Sequence, residues 1–391
     1  MVIKLPDKSC TGCGACMQSC SFKAIKMQAR DDGFLYPAIN KDKCSQCGQC
    51  MRSCHALSKN ERHKPISFFA AQVKDKNQLS MSSSGGIFYA LASNVIKNNG
   101  VVYGCTFDKH YNAILSRADS LADIRAMQGS KYVWSDPSFS YPDVRHNLED
   151  NRWVLYTCLP CQAAGLRKYL NKKYENLFIV DVLCGGAPSP YAFQKYLETL
   201  TDEAGKKTLC FQFRDKEKFG AGVNCSYMLN GVKHHENWLE NSFYFAFCSK
   251  ARITWRMSCY SCSYKSISRV SDMTIGDYWG VEKYHKNFKP RDGVSLISIN
   301  TETGKRLFDL VKNDLITEES DVHYATEKNS LVDEINEGYV KIPKNREAFF
   351  YTLHTDGWNK ADQKFLGKRK KLLLKQSIGR VIRKLKRMLK N

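Results

Sequence analysis

The residues with the clearest chemistry are eight cysteines among the first 54 positions of the chain. They form two runs of identical spacing, in which three cysteines are separated by two residues each and a fourth follows after three more. The runs begin 34 residues apart and consist of Cys10, Cys13, Cys16 and Cys20, and of Cys44, Cys47, Cys50 and Cys54. Three thiolates at this spacing wrap one face of a four-iron cube, and the fourth points to a neighbouring cube. The two runs therefore predict two [4Fe–4S] clusters.

Each cluster is expected to take its fourth thiolate from the other run. The first would use Cys10, Cys13, Cys16 and Cys54, and the second would use Cys44, Cys47, Cys50 and Cys20. Zinc is the competing interpretation, but zinc sites usually pair cysteines from two separate hairpins, so two continuous runs favour iron–sulfur. The proline that usually follows the fourth cysteine is Ser21 in one run and His55 in the other, and no ligand is missing.

Four later cysteines could hold a third cluster. Cys161 and Cys184 follow two predicted strands, and Cys259 and Cys262 form a further pair separated by two residues. Because these residues come from three segments, their spacing is weaker evidence than the two N-terminal runs. Buried free thiols are common in protein cores and explain the same residues. The spacing leaves both interpretations open.

The segment around the first two of these cysteines predicts a parallel α/β arrangement. Strands are expected over Trp153–Tyr156 and Leu177–Leu183, each followed by a helix, over Leu159–Leu170 and Pro190–Leu200. Strand, loop and helix in this order, twice over, predict parallel strands with short connections. Open α/β sheets bind ligands at the C-terminal ends of their strands, and Cys161 and Cys184 lie in those loops.

Two turns that contain glycine are candidate ligand sites. Ser80–Gly86 precedes a helical pattern that continues through Ile96, and the free N–H groups at such a helix start suit a phosphate. Serines are also ordinary helix caps, so this turn alone does not decide for phosphate. Gly129–Ser135 follows a short predicted helix over 119–128. This turn places Lys131 beside aromatic residues. The lysine could face a flavin or a substrate, or the turn could be a loop whose aromatic side chains simply pack.

The net charge of +21 in 391 residues suggests a polyanionic partner, either nucleic acid or an anionic membrane surface. Residues 364–391 contain twelve Lys or Arg and no Asp or Glu. The other 363 residues carry 48 basic and 39 acidic side chains, a net charge of +9. If the four later cysteines also hold a cluster, three clusters with their thiolates would each add about −2, which leaves a nearly neutral body. The charge is therefore mainly a property of the tail.

Apolar residues recur at helical spacing among the cations of this tail, which is typical of a basic amphipathic helix at a membrane surface. A helix packed on the body is the next interpretation. Nucleic acid comes last, because no stacking aromatic or recognition motif accompanies the charges. No signal peptide or membrane-spanning run is visible, so we expect a cytoplasmic protein that is peripheral at the inner face of the membrane. In that compartment cysteines bind metal more often than they form disulfides.

Seven short motifs follow the two cysteine runs in order along the chain. They are Ser84–Gly86, Gly129–Val133, Leu159–Leu166, Asp181–Gly185, Cys259–Cys262, Ser271–Gly280 and Gly293–Ser295. Together with the runs they resemble the beta subunit of coenzyme F420 hydrogenase/dehydrogenase with a fused N-terminal dicluster ferredoxin. The resemblance covers roughly residues 1–300 and is far more specific than any single motif. Similar bacterial chains often belong to surface-polysaccharide loci, so the resemblance implies that setting here and not the methanogen's hydride partner.

The resemblance implies an FAD-binding iron–sulfur oxidoreductase. It implies that Cys161, Cys184, Cys259 and Cys262 hold a further [4Fe–4S] cluster. It implies flavin contacts in the two glycine turns, by Ser83, Ser84, Gly85, Gly86, Gly129, Ser130, Lys131 and Tyr132. Two positions depart from the family pattern. Cys158 and Leu159 replace small residues before the Pro-Cys pair, so Cys158 could compete as a ligand, and Gly185 replaces a frequent histidine.

The expected fold is an α/β (α+β) flavoprotein-like core with an N-terminal bacterial dicluster ferredoxin domain. The ferredoxin domain is expected over 1–59 and a polar linker over 60–66. The beta-subunit-like domain for FAD and iron–sulfur is expected over 67–345. The C-terminal extension over 346–391 ends in the basic amphipathic helix.

The expected function is an oxidoreductase that passes electrons between the clusters and the flavin for a two-electron reaction on a substrate. Lys131, Asp272 and Asp277 are candidate proton donors or supporting groups for that reaction. Ferredoxin, a nicotinamide or a deazaflavin is the expected redox partner. Two other classes stay open: a non-catalytic electron-transfer module that docks on a partner enzyme and, more weakly supported, a nucleic-acid-binding iron–sulfur protein.

Overall fold

A computed structural model describes residues 3–58, 60–137, 140–201, 209–248, 251–329, 340–367, 369 and 374. Its strands are β1 Ile25–Ala29, β2 Leu35–Ile39, β3 Ser67–Val73, β4 Val101–Phe107, β5 Ala113–Ala118, β6 Val154–Cys158, β7 Leu177–Val182, β8 Leu209–Gln212, β9 Asn224–Leu229, β10 Val232–Asn237, β11 Met273–Asp277, β12 Ser295–Ile299 and β13 Leu315–Ser320. Its α-helices are α1 Ala15–Gln18, α2 Gln49–Arg52, α3 Lys76–Met81, α4 Ile87–Lys97, α5 Leu121–Met127, α6 Ser140–Glu149, α7 Pro160–Leu170, α8 Pro190–Leu197, α9 Ser242–Cys248, α10 Glu302–Asp309, α11 Val322–Glu327 and α12 Arg346–Ala361.

The N-terminal cysteine repeat forms two matching loops, which end in the short helices α1 and α2. The residue before each helix is a glycine with left-handed backbone, Gly14 at φ 73° and Gly48 at φ 76°. Glycine adopts this conformation without steric penalty, so both loops turn sharply at the same point. β1 and β2 pair antiparallel beside the loops. The repeat seen in the sequence is therefore a repeat of local structure.

The centre of the molecule is an eight-stranded mixed sheet in the order β13-β3-β12-β11-β7-β6-β4-β5. β4, β6, β7 and β11 run parallel to one another. The other neighbours are antiparallel. Because these four strands run in one direction, their C-terminal ends lie along one edge of the sheet.

Helices cover both faces of this sheet. Side chains alternate along each strand, so Leu155 and Phe178 join one apolar cluster while Tyr156 and Ile179 join the other. Helices α4, α5 and α10 complete the first cluster, and α6 and α7 complete the second. Burial on both faces accounts for the nearly continuous apolar run of β7.

A smaller antiparallel sheet in the order β10-β9-β8 lies beside an aromatic cluster. Phe193 of α8, Phe243 of α9 and Trp358 of α12 belong to this cluster, as does Leu366 in the helical turn that follows α12. Residues 346–366 therefore pack into the core. The predicted basic amphipathic helix begins at Leu374, and all of it beyond that residue lies outside the described residues. In the described part, no helix has both the length and the apolarity needed to cross a membrane.

The elements predicted around Cys161 and Cys184 are confirmed as β6, α7, β7 and α8, with ends shifted by at most three residues. β6 and β7 pair in parallel, as the strand–loop–helix order predicts. The helix after Ser80–Gly86 is confirmed as α4. The fold is thus a mixed α/β core with an N-terminal cysteine-rich unit.

Arg269 links several of these segments from a buried position. Its guanidinium donates to the carboxylate of Asp181 at 3.0 Å, and the two side chains are 3% and 0% exposed. It also donates to the carbonyl of Tyr264, and its backbone pairs with that of His63 in the predicted linker. The ion pair therefore connects β7, the segment before β11 and the approach to β3.

We expect Arg269→Met to lower the free energy of unfolding by about 3–5 kcal/mol, because it leaves the Asp181 carboxylate buried and unpaired. Lys305→Met is the control, since its ion pair with Asp309 lies in solvent, where water screens the attraction and the pair contributes little. Denaturant unfolding followed by circular dichroism measures both variants. Equal losses in the two would contradict the structural role of Arg269.

Candidate functional site

The N-terminal cysteines form two groups in space, and each group lines its own small cavity. The groups are Cys10, Cys13, Cys16 and Cys54, and Cys20, Cys44, Cys47 and Cys50. Within them, Cys13 interacts electrostatically with Cys10 and Cys54. Cys50 interacts likewise with Cys20 and Cys44. Each group thus contains one cysteine from the other run, in the crossed arrangement that the spacing predicts.

The donor chemistry of the first group suits an iron–sulfur cluster. Burial raises the pKa of Cys13 to about 12, and the thiols of Cys10 and Cys54 act in the same direction. Buried thiols this close together ionise only when a bound cation compensates their charge. Among the described residues, no three His, Cys, Asp or Glu side chains are spaced for one metal ion. A four-iron cube is wider than a single ion, so the thiolates that hold it lie farther apart than the ligands of one ion.

Cys161, Cys184, Cys259 and Cys262 also come together. Burial raises the pKa of Cys161 well above its usual range, with the other three thiols as further causes. Burial raises the pKa of Cys184 to about 12, and Cys262 adds to the effect. The backbone N–H of Ala187 donates to the sulfur of Cys259 at 3.4 Å, which is the kind of contact that supports a cluster ligand. The four-cysteine set fits the same donor chemistry as the N-terminal groups.

Cys158 stands apart from this set. It ends β6 and is buried, and its electrostatic partners are Asp181 and Arg167 rather than the four cysteines. Burial raises the pKa of its thiol well above the usual range. Cys158 therefore borders the candidate site without joining the four thiols.

A cavity of about 290 Å³ opens at the C-terminal ends of the parallel strands. Its walls include Thr157 of β6, Val182 of β7 and Asp277 of β11. Cys184 also lines it, so the four-cysteine set borders the cavity. The volume lies at the lower end of the range for small-molecule sites. The C-terminal ends of the parallel strands are where open α/β sheets bind their ligands.

Both glycine turns reach this cavity. Ser83, Ser84 and Gly86 line it at the start of α4, and residues 129–132 line it from another side. The backbone N–H of Ser130 donates to the hydroxyl of Ser83 at 2.7 Å and ties the two turns together. Gly85 packs against the sheet instead, where a Cβ would lie 2.2 Å from the carbonyl oxygen of Ala71. The structure thus brings every predicted flavin residue except Gly85 to the same cavity.

Lys131 lies at the cavity, but its ammonium group is fully engaged. It donates to the carbonyl oxygens of Ala126, Met127 and Gln128 at 2.8, 3.0 and 2.9 Å. These are orphan carbonyls at the C-terminal end of α5, which a cation stabilises. Burial lowers the pKa of Lys131 to about 8. Its contacts make it a helix cap that forms part of the wall.

The two candidate aspartates stand at opposite ends of β11. Asp277 lines the cavity. Asp272 precedes the strand and accepts hydrogen bonds from Arg167 at 3.0 Å and from the N–H of Ile179 at 2.9 Å. Asp272 therefore joins α7 to β7 away from the cavity, and only Asp277 is placed to face a ligand there.

Arg214 is the cavity residue that no sequence motif indicates. Its guanidinium donates to both carboxylate oxygens of Asp277, at 2.7 and 3.2 Å, and to the hydroxyl of Tyr132 at 2.9 Å. It also donates to the carbonyl of Ser83 at 3.2 Å. The side chain is 2% exposed, and its Nε is buried without a partner. Arg214 is 63 residues from Asp277 and 82 from Tyr132, so spacing could not have linked them.

Two family models match the chain. Residues 9–57 match the 4Fe-4S dicluster domain. Residues 151–323 match the C-terminal part of the coenzyme F420 hydrogenase/dehydrogenase beta subunit. Among solved structures, a chain of the F420-reducing [NiFe] hydrogenase complex from Methanosarcina barkeri is similar at 18% identity and a TM-score of 0.45. That match covers 68% of this chain and 89% of the other. No curated protein matches the sequence significantly.

Residues 9–57 are thus a 4Fe–4S dicluster domain, the class of module that holds two [4Fe–4S] clusters. The resemblance drawn from the motifs, to coenzyme F420 hydrogenase/dehydrogenase beta subunits with a fused dicluster ferredoxin, is confirmed by the two matches. The chain is therefore an iron–sulfur protein of oxidoreductase type, related to these beta subunits.

If Cys161, Cys184, Cys259 and Cys262 hold a third cluster, Cys161→Ala should lower the iron content of the anaerobically purified protein from about twelve to about eight atoms, because that cluster loses a ligand. Cys158→Ala is the matched control, three residues away at the end of β6, and should keep about twelve. Metal quantitation with electron paramagnetic resonance of the reduced protein measures both. Loss of four iron atoms in Cys158→Ala, or none in Cys161→Ala, would contradict the assignment.

Proposed function

We propose that this protein is an iron–sulfur flavoprotein oxidoreductase with three [4Fe–4S] clusters and one FAD. It passes electrons between the ferredoxin-type clusters and the flavin for two-electron reduction or oxidation of a substrate. One observation carries the proposal: the cavity at the ends of the parallel strands is lined both by the glycine turns and by Cys184 of the four-cysteine set. A flavin and a cluster would thus be neighbours, as electron transfer between them requires.

A flavin in this cavity would exchange single electrons with the clusters and a hydride with the substrate. The residues present suit such a ligand. The turn before α4 presents backbone N–H groups at a helix start, which favour an anionic group. Leu115, Val133 and Phe247 supply apolar wall, so the cavity combines apolar surface with a few polar groups.

Arg214 and Asp277 would act together at this site. Asp277 holds two of the guanidinium nitrogens, which fixes the plane of Arg214 and neutralises most of its charge. Arg214 lines the cavity, so its guanidinium brings positive charge and N–H groups next to a bound ligand. We assign Arg214 as a flavin contact on this ground and Asp277 as the residue that positions it.

A non-catalytic electron-transfer module is the competing function, and the choice depends on hydride chemistry. A module would hold clusters and respond only to ferredoxin-type donors. An enzyme would show reduction of its flavin by a nicotinamide or a deazaflavin. The setting in surface-polysaccharide synthesis rests on the resemblance alone, and loss of the gene should then alter the surface polysaccharide.

We expect the anaerobically purified protein to contain about one flavin and Arg214→Met to bind it at least tenfold more weakly. A hydrogen bond from a charged donor is worth about 1.5–3 kcal/mol, which corresponds to this factor. Arg152→Met is the control, because Arg152 precedes β6 at the opposite end of the strand and donates to Asp119. Absorption spectra with added FAD measure the dissociation constants. Wild-type protein without affinity for flavin would refute the flavoenzyme, and equal affinity in Arg214→Met would refute the contact.

We also propose that the basic tail binds an anionic membrane surface. We expect deletion of residues 370–391 to abolish binding to vesicles of anionic lipid, because it removes most of the cations. The deletion begins after Leu366, whose side chain is buried in the aromatic cluster, so the core is left intact. Vesicle co-sedimentation measures binding, with neutral vesicles as control. Unchanged binding would contradict the role of the tail, and salt-sensitive binding to nucleic acid instead would indicate a different polyanion.

A further inference from the structure

Arg256 lies at the contact between the dicluster domain and the core, with 1% of its surface exposed. Its Nε donates to the carbonyl oxygen of Cys10 at 2.7 Å, and its Nη2 donates to the carbonyl of Leu35 at 2.9 Å. Nη2 also lies 3.6 Å from the sulfur of Cys10. A residue of the core therefore reaches the loop that holds the first cysteine of the chain.

The charge of this guanidinium has no carboxylate partner among the described residues. Its other neighbours are aromatic, with Tyr36, Phe34 and Trp134 ring centres at 4.2, 5.2 and 5.5 Å. The Nη1 atom is buried and has no hydrogen-bond partner. A Cβ on Gly12 would lie 2.9 Å from this atom, so the cysteine loop approaches it closely. A buried cation without an anion is costly, and natural proteins rarely keep one.

A [4Fe–4S] cluster with four thiolates carries about −2 and would supply the missing anion. We propose that Arg256 is the counter-ion of the cluster held by Cys10, Cys13, Cys16 and Cys54, and that it raises the reduction potential of that cluster. Positive charge and a hydrogen bond to a ligand sulfur favour the reduced, more negative state, and exclusion of water leaves the charge of Arg256 unscreened. The proposal rests on the proposed three-cluster function and adds a residue that tunes one of its centres.

The cluster of Cys10 is also the one that faces the core. Gly165 of α7 is packed so tightly that a Cβ would lie 2.9 Å from the sulfur of Cys13. Cys161, in the first turn of the same helix, interacts electrostatically with Cys13. Three residues after Arg256, the N–H of Cys259 donates to the Arg256 carbonyl at 2.9 Å. Arg256 thus stands between the dicluster domain and the four-cysteine set.

The outer cluster is the one expected on Cys20, Cys44, Cys47 and Cys50, and a different arginine contacts its loop. Arg52 donates from Nη1 to the carbonyl of Cys47 at 3.1 Å, but both residues are exposed. Water screens a charge at such a position, so Arg52 should have little influence on the potential. The contrast predicts that an electron in the dicluster domain resides mainly on the inner cluster, beside the core.

Arg256→Gln keeps hydrogen-bond donors but removes the charge. We expect it to lower the equilibrium constant for reduction of the inner cluster, the one on Cys10, Cys13, Cys16 and Cys54, at least tenfold. For a one-electron couple this is about 59 mV. Arg256→Lys should stay near the wild-type value, and Arg52→Gln should change none of the potentials. Anaerobic redox titration of the full-length protein, followed by electron paramagnetic resonance, gives the potentials. The variant Cys54→Ser identifies the signal of the inner cluster.

Iron content and the wild-type signals separate this proposal from the proposed function, because they report whether the clusters exist at all. With clusters present, an unchanged inner potential in Arg256→Gln would overturn the role of Arg256. If Arg256→Gln loses the inner cluster while Arg256→Lys retains it, the charge is required and the proposal holds. If both variants lose it, Arg256 acts through packing and the proposal fails.

Discussion

The parallel direction of β4, β6, β7 and β11 is the constraint on which the site depends. Because these four strands run in one direction, every loop that leaves one of their C-terminal ends opens on the same edge of the sheet. Cys161 follows β6, Cys184 follows β7, and Asp277 ends β11. Strand direction alone therefore concentrates thiols, a carboxylate and a cavity in one place, although these residues span more than a hundred positions of the chain.

Buried charge is the second organising factor. Arg214, Arg256 and Arg269 all lie inside the molecule, yet their surroundings differ. Arg269 and Arg214 have carboxylates, Asp181 and Asp277, whereas Arg256 has only aromatic rings, carbonyls and a cysteine sulfur among the described residues. The positive charge of the sequence thus lies partly in the tail and partly inside the molecule, where Arg256 is placed beside the ligands of an anionic cluster.

Local patterns predicted the parts of the site whose residues are neighbours in the chain. The crossed grouping of the N-terminal cysteines follows from spacing, because ligands two or three residues apart share one loop. The strands and helices around Cys161 and Cys184 follow from periodicity and are confirmed. Among the candidate proton donors, Asp277 and Asp272 looked alike in one motif. The structure separates them, since four intervening residues of an extended strand carry them to opposite ends.

The sequence by itself determined the iron–sulfur chemistry, because cluster ligation needs cysteines at fixed local spacing and that spacing is visible in the chain. Only the tertiary structure decided which cations stand beside those sulfurs. Arg256 meets Cys10 across 246 residues, and Arg214 meets Asp277 across 63. No periodicity or motif encodes such contacts, because they arise where the dicluster domain, the large sheet and the aromatic cluster pack together. The chain specifies the redox centres locally, and packing sets the charge around them.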